Sequence, residues 1–177
     1  MNQNDELSAF KIVNNYSEEK LSTILFNYGE LRNARALAKK ISEARLEKKI
    51  RTSFDLKEIL QQFLPNAKEH KILAQIFQAI RIEVNQELEV LKEFLLQIPE
   101  LLNADGRLSV ISYHSLEDRL VKRFIRNGQF EGEPEKDFYG NFDVPLKKVG
   151  KLIVPTREEI KKNNRARSAK LRVAVKV

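Results

Sequence analysis

A helix-rich α/β protein is the fold class this sequence predicts, on three observations. Apolar residues recur at helical spacing through 8–98, a short β-prone run follows at 107–112, and helical spacing resumes over 116–125. The 177 residues are 42% hydrophobic, enough for one ordinary core or two small ones and too much for a disordered tail.

The first helices read as a small bundle. Ser8 and Ser17 are N-cap candidates, and Glu18 and Glu19 sit well against a helix dipole. Leu21, Ile24, Leu25 and Tyr28 follow at helical spacing, with Gly29 as the stop. A second helix carries Leu31, Ala34, Ala38 and Ile41 on one side and Arg32, Arg35, Lys39, Lys40 and Arg45 largely on another. A third opens at Thr52, with Asp55 as its capping-box partner, and buries Leu56, Ile59, Leu60 and Phe63 before Pro65.

Residues 68–98 form one long helix or two in series, with an apolar stripe of Ile72, Ile76, Ile80, Val84, Leu88, Leu91 and Leu95, ended by Pro99. Arg81 and Asn85 share one face of it, as partners of a turn or as part of a cleft; the structural role is preferred, because buried polar groups usually satisfy backbone.

The period then changes. Leu108, Val110 and Ile111 suit a strand over 107–112 in a sheet buried on both faces. Further strand candidates are 151–154 and 169–175, which makes a thin sheet, and 127–150, punctuated by Gly128, Gly132, Pro134, Gly140 and Pro145, reads as a long loop.

Charge and composition narrow the function classes. Of the net +7, residues 144–177 carry +9, with 11 Lys/Arg against 2 Glu, and the remainder carries −2. Such a basic block fits a polyanion such as RNA, because Lys and Arg at phosphates release condensed counterions; a solvated tail is the plainer reading. No cysteine is present and the two histidines lack a carboxylate cluster in sequence, so no metal site is expected. No apolar run reaches the roughly 20 residues of a membrane span, and the start has no secretory pattern, so the expectation is a soluble, unsecreted, cytoplasmic protein.

Ser112-Tyr113-His114-Ser115 lies where the strand ends and a helix begins, the place where open α/β sheets hold ligands. The structural reading competes: Ser115 with Asp118 three residues on is a capping box, and Glu117 and Asp118 simply satisfy the dipole. Tyr113 is equally an ordinary core aromatic. In the tail, Arg165, Arg167, Lys170 and Arg172 are the RNA-contact candidates; if 169–175 is a strand, Lys170 and Arg172 share one face opposite Leu171 and Val173.

The run Ser112-Tyr113-His114-Ser115-Leu116-Glu117-Asp118-Arg119 resembles the late motif of the bacterial 16S ribosomal RNA (cytosine-N4)-methyltransferase family, which usually has Phe where this chain has Tyr113. The ending Asn164-Arg165-Ala166-Arg167-Ser168-Ala169-Lys170-Leu171-Arg172, the run 77–88, and the opening Leu7-Ser8-Ala9-Phe10 with Tyr16-Ser17-Glu18-Glu19 are also similar, in order. The resemblance implies a helical insertion (substrate-recognition) domain over 1–70, then the later part of a Rossmann-like methyltransferase domain over 71–177. It implies S-adenosylmethionine as cofactor and a decoding-centre cytidine of 16S rRNA in the small ribosomal subunit as substrate, with Ser112, Tyr113 and His114 at the base or cofactor edge. Tyr113 would stack, and His114 would donate a hydrogen bond or accept a proton. The family's Gly-rich cofactor loop and the acid after its second strand precede the insertion, and nothing among the six glycines here matches them. The chain therefore reads as a fragment expected to be inactive alone, with a non-enzymatic RNA-binding or ribosome-assembly module as the alternative.

Overall fold

Residues 7–134, 137–139 and 142–177 are described in the structure, a computed structural model. The chain divides into two compact units, 1–87 and 88–177.

The first unit is all helical: α1 (Ala9–Asn15), α2 (Glu18–Asn27), α3 (Ala34–Glu47), α4 (Ser53–Ile59), a 3₁₀ turn (Gln61–Phe63) and α5 (Glu69–Asn85). The expected caps form. Ser8 accepts from the Lys11 amide, Ser17 from the Lys20 amide, and Thr52 with Asp55 makes a reciprocal capping box. Asp55 accepts from the amides of Arg51 and Thr52, and the Arg51 bond above all holds its carboxyl below the ordinary range. Ile12, Leu21, Leu25, Leu37, Ile41, Leu60 and Ile76 are at most 1% exposed and form the core. Gly29 is required by close approach, since a Cβ there would lie 2.6 Å from the Leu25 carbonyl oxygen. Around it, the side-chain amides of Gln75 and Gln78 on α5 donate to the carbonyls of Gly29 and Tyr28, which satisfies the end of α2.

Residues 68–98 resolve into two helices. Gln86 takes a left-handed conformation (φ +49°) and closes α5 by donating back to the Ile82 and Glu83 carbonyls. Arg81 and Asn85 both donate to Glu87 across this turn, at 2.8 and 3.0 Å, which is the structural role preferred from the sequence. The apolar stripe is thereby shared between two cores: Ile76 and Ile80 belong to the first, Leu91 and Leu95 to the second. Hence α5 packs with the helical bundle, and the compact units part at Glu87/Leu88. Pro99 does not end the helix either; α6 (Glu87–Leu101) runs one more half-turn past it.

The second unit takes in most of α6, then β1 (Arg107–Ser112), α7 (Ser115–Asn127), β2 (Leu146–Ile153), α8 (Arg157–Lys162), a 3₁₀ turn (Asn164–Ser168) and β3 (Lys170–Lys176). Its sheet has the order β1-β3-β2 with both pairings antiparallel. Leu95 and Ile98 of α6 and Val121, Phe124 and Ile125 of α7 cluster with Leu108, Leu146 and Ala174 of the sheet. The register puts Leu108, Val110 and Ser112 on that face, together with Lys170, Arg172 and Ala174. The opposite face carries Ile111, Leu171, Val173, Val175 and Val149. It is only partly covered: Ile111 is 57% exposed and Ile153 54%, while Val149, Leu171, Val173 and Val175 are half-buried. The expectation that β1 is buried on both faces is thus corrected to one face, and its side away from β3 is a free edge among the described residues.

β2 begins at Leu146, five residues before the expected 151, because Leu146–Val149 already pair with β3 ahead of a bulge between Val149 and Ile153. Gly150 has φ +65° in that bulge. The stretch expected as a loop therefore shortens at its end, and at its start Phe130 folds back to stack on Phe124, with ring centroids 5.1 Å apart. Positions 135, 136, 140 and 141 of that stretch lie outside the described residues. Among the described residues, no helix is long and apolar enough to cross a membrane.

Candidate functional site

The end of β1 and the start of α7 form a strand-to-helix junction. His114 is the last extended residue (φ −135°, ψ 164°), so it and not Ser115 occupies the N-cap position of α7. Its Nδ1 stands one bond beyond Cγ, as the side-chain oxygen of Asn does, and accepts from the Glu117 amide at 3.3 Å. Glu117 completes the box by accepting from the amides of Tyr113 at 2.8 Å and His114 at 3.3 Å. The expected box of Ser115 with Asp118 is one residue out of frame. Because Nδ1 accepts, Nε2 carries the proton, and it lies 3.4 Å from Glu117 Oε1. The imidazole is a structural cap with its tautomer set.

Ser112 is buried, and its hydroxyl lies 3.5 Å from the Lys170 carbonyl oxygen. Tyr113 is the opposite case: it is 58% exposed, so it is not a core aromatic.

Released from capping, Asp118 turns toward β3. Arg172 donates to it through two nitrogens at 2.7 and 3.2 Å, and Lys170 through its ammonium at 3.1 Å. Burial pushes the Asp118 carboxyl up, but the hydrogen bonds from Arg172 and Lys170 outweigh it and leave the group below the usual carboxylate range. The four basic candidates of the tail thus separate. Arg165 and Arg167 are exposed on the 3₁₀ turn, whereas Lys170 and Arg172, on the shared face expected of them, pair with Asp118. Sequence reasoning passed over Glu117 as the second half of the box, although His-x-x-Glu has the spacing of one. It also passed over Asp118 as an anchor, for which no local signal exists, since Arg172 is 54 residues away.

The β1-to-α7 turn does not fit a Gly-rich cofactor cradle. It holds no glycine, and the amides of Tyr113 and His114, which such a cradle would aim at the ligand, already donate to Glu117.

A helical unit followed by an α/β unit with a strand-to-helix junction and a basic final strand pair defines the class: a helix-rich α/β protein compatible with part of a methyltransferase domain. The model of the MraW methylase family matches residues 1–177, and the chain belongs to that family. It is similar to proteins named ribosomal RNA small subunit methyltransferase H. The one from Flavobacterium johnsoniae is 63% identical over 177 residues, covering 100% of this chain and 59% of the relative. That from Christiangramia forsetii is 62% identical over the same shares of each chain. That from Cytophaga hutchinsonii is 54% identical over 167 residues, 94% of this chain and 56% of the relative. The chain therefore spans less than two thirds of the length of these relatives.

Proposed function

We propose that this chain is the later portion of an S-adenosylmethionine-dependent methyltransferase that modifies N4 of a cytidine in 16S rRNA, and that it supplies the base-side wall of the site. The observation that carries this reading is the pairing of an exposed Tyr113 at the carboxyl end of β1 with a sheet whose second face and β1 edge are open. A Rossmann-like domain covers both faces of its sheet, so an open face and edge are what its later strands present when the earlier ones are supplied by another segment. The cofactor is then held by that segment.

The exocyclic amine of cytosine is a weak nucleophile, because its lone pair is delocalised into the ring. Holding the base in line with the methyl donor is therefore the main service the protein gives. Tyr113 stacks on a base splayed out of its RNA context. Ser112 and His114 hold the strand end rigid beneath it, and His114, whose Nδ1 accepts from the Glu117 amide, acts as a positioning residue and leaves the amine proton to another acceptor. Arg165 and Arg167 meet RNA phosphates.

The test is co-expression of this chain with the earlier segment of the Flavobacterium johnsoniae relative, followed by transfer of labelled methyl to small ribosomal subunits. Transfer requiring both segments, and falling at least about tenfold in Tyr113→Ala, is the expected result. Binding of S-adenosylmethionine or methyl transfer by this chain alone, or RNA binding with no transfer by the pair, contradicts the proposal; the last result favours an assembly module.

A further inference from the structure

A concavity lies between α7 and the paired strands β2 and β3, with a volume of about 260 Å³. That is less than a drug-sized ligand needs and suits a single planar ring. Ile125 and Leu152 give it apolar side chains, Val149 and Val173 also border it although the register turns their side chains to the other face of the sheet, and no carboxylate lines it among the described residues. Lys122 and Arg126 stand one helical turn apart on its α7 side, and Lys148 and Lys151 bracket the Gly150 bulge on its β2 side. All four are exposed. None of the four has an ion-pair partner among the described residues, in contrast to Arg172 at the same cleft, which Asp118 neutralises.

We propose that this cleft binds single-stranded RNA, one unstacked base against the apolar lining and the flanking phosphates on Lys122, Arg126, Lys148 and Lys151. Two facts select this occupant. An apolar lining rimmed with cations of one sign complements a base flanked by phosphates, the combination that single-strand binders use. Bulges also recur where a strand is re-aimed beside a site, and here Lys148 and Lys151 flank the Gly150 bulge in the chain and both line the cleft. The inference rests on the reading that the substrate is RNA, but it places a second contact apart from the reacting base.

The experiment is fluorescence anisotropy of the full chain with a labelled single-stranded RNA of about 12 nucleotides, within the range of single-strand sites. The same ribose-phosphate backbone lacking bases serves as the second probe. The triple variant Lys122→Gln, Lys148→Gln, Lys151→Gln should bind the RNA at least about tenfold more weakly and lose about 2 from the slope of log affinity against log salt. Leu152→Asp should abolish the preference for RNA over the base-free backbone. Arg165→Gln with Arg167→Gln should weaken both probes alike and leave that preference intact. These residues are exposed or half-exposed, so circular dichroism should match the parent. Parent binding that the triple variant does not weaken overturns the cleft alone. Equal binding of RNA and base-free backbone by the parent overturns the base contact. Absence of any RNA binding by the parent overturns both the cleft and the reading of the substrate beneath it.

Discussion

The helical unit and the α/β unit solve the same problem to different degrees. In the first, amphipathic helices turn their apolar faces onto one another, and Leu37, Ala38, Leu60 and Ile76 are completely buried. In the second, α6 and α7 cover one face of the sheet, and Phe124, Leu146 and Ala174 are as well buried as anything in the bundle. The other face is only partly covered, with Ile111 and Ile153 more than half exposed and Leu171, Val173 and Val175 half-buried. Helices pair in any number, whereas a sheet has two faces and two edges to satisfy. A helical unit can therefore close its own core, and this sheet does not.

The largest effect expected from that contrast is in the helical core. Leu37→Ala should cost about 2–5 kcal/mol in the stability of the first unit, because the site lies between packed helices and leaves a cavity. Hydrogen exchange should show the loss in α2, α3 and α5 while β1 and β3 keep their protection. Equal loss throughout would show that the two units are one cooperative body.

Next is the ion pair that ties α7 to the sheet. Asp118→Asn strips a carboxylate from a largely buried Arg172 and should cost about 1–3 kcal/mol. The pH dependence follows from the sign of the shift. The Asp118 carboxyl sits lower in the folded protein than in the unfolded chain. Its contribution is therefore present in full above its unfolded value of about 3.9 and is lost as pH falls through the folded one. Acid titration should unfold the second unit of the parent more steeply than that of Asp118→Asn below about pH 4. Identical acid profiles would show that the pair does not stabilise that unit.

Smallest is the cap. His114→Ala should lower stability by about 1 kcal/mol, the ordinary worth of an N-cap, and Ser115→Ala should cost less. Thermal melts giving the reverse order would restore Ser115 as the cap.

What is legible in the sequence is what local chemistry decides. Ser8, Ser17 and Thr52 cap the helices they precede, because a short hydroxyl side chain reaches its own helix whatever packs around it. The cap of α7 is misleading in sequence, because histidine is not a usual cap and a serine stands beside it. The break at Gln86 carries no glycine to announce it. Longer-range facts are out of reach: Asp118 looks like a dipole acid, since the partners that claim it sit 52 and 54 residues away. In the candidate site, Ser112-Tyr113-His114 does stand at the strand end, but nothing local tells that Tyr113 alone of the three is exposed. The stripe along 72–95 is continuous in sequence and serves two cores in space, so periodicity places the helices but not the division between the units.

The central claim is that the open edge and face of the β1 sheet belong to an earlier segment of a methyltransferase. Hydrogen exchange across residues 107–112, measured on this chain alone and after co-purification with the earlier segment of the Flavobacterium johnsoniae relative, tests it most directly. Protection in β1 should rise by at least about tenfold, as expected for a strand passing from edge to interior, while α2 and α3 exchange as before. Association of the two segments with β1 exchange unchanged, or no association at all, would contradict it.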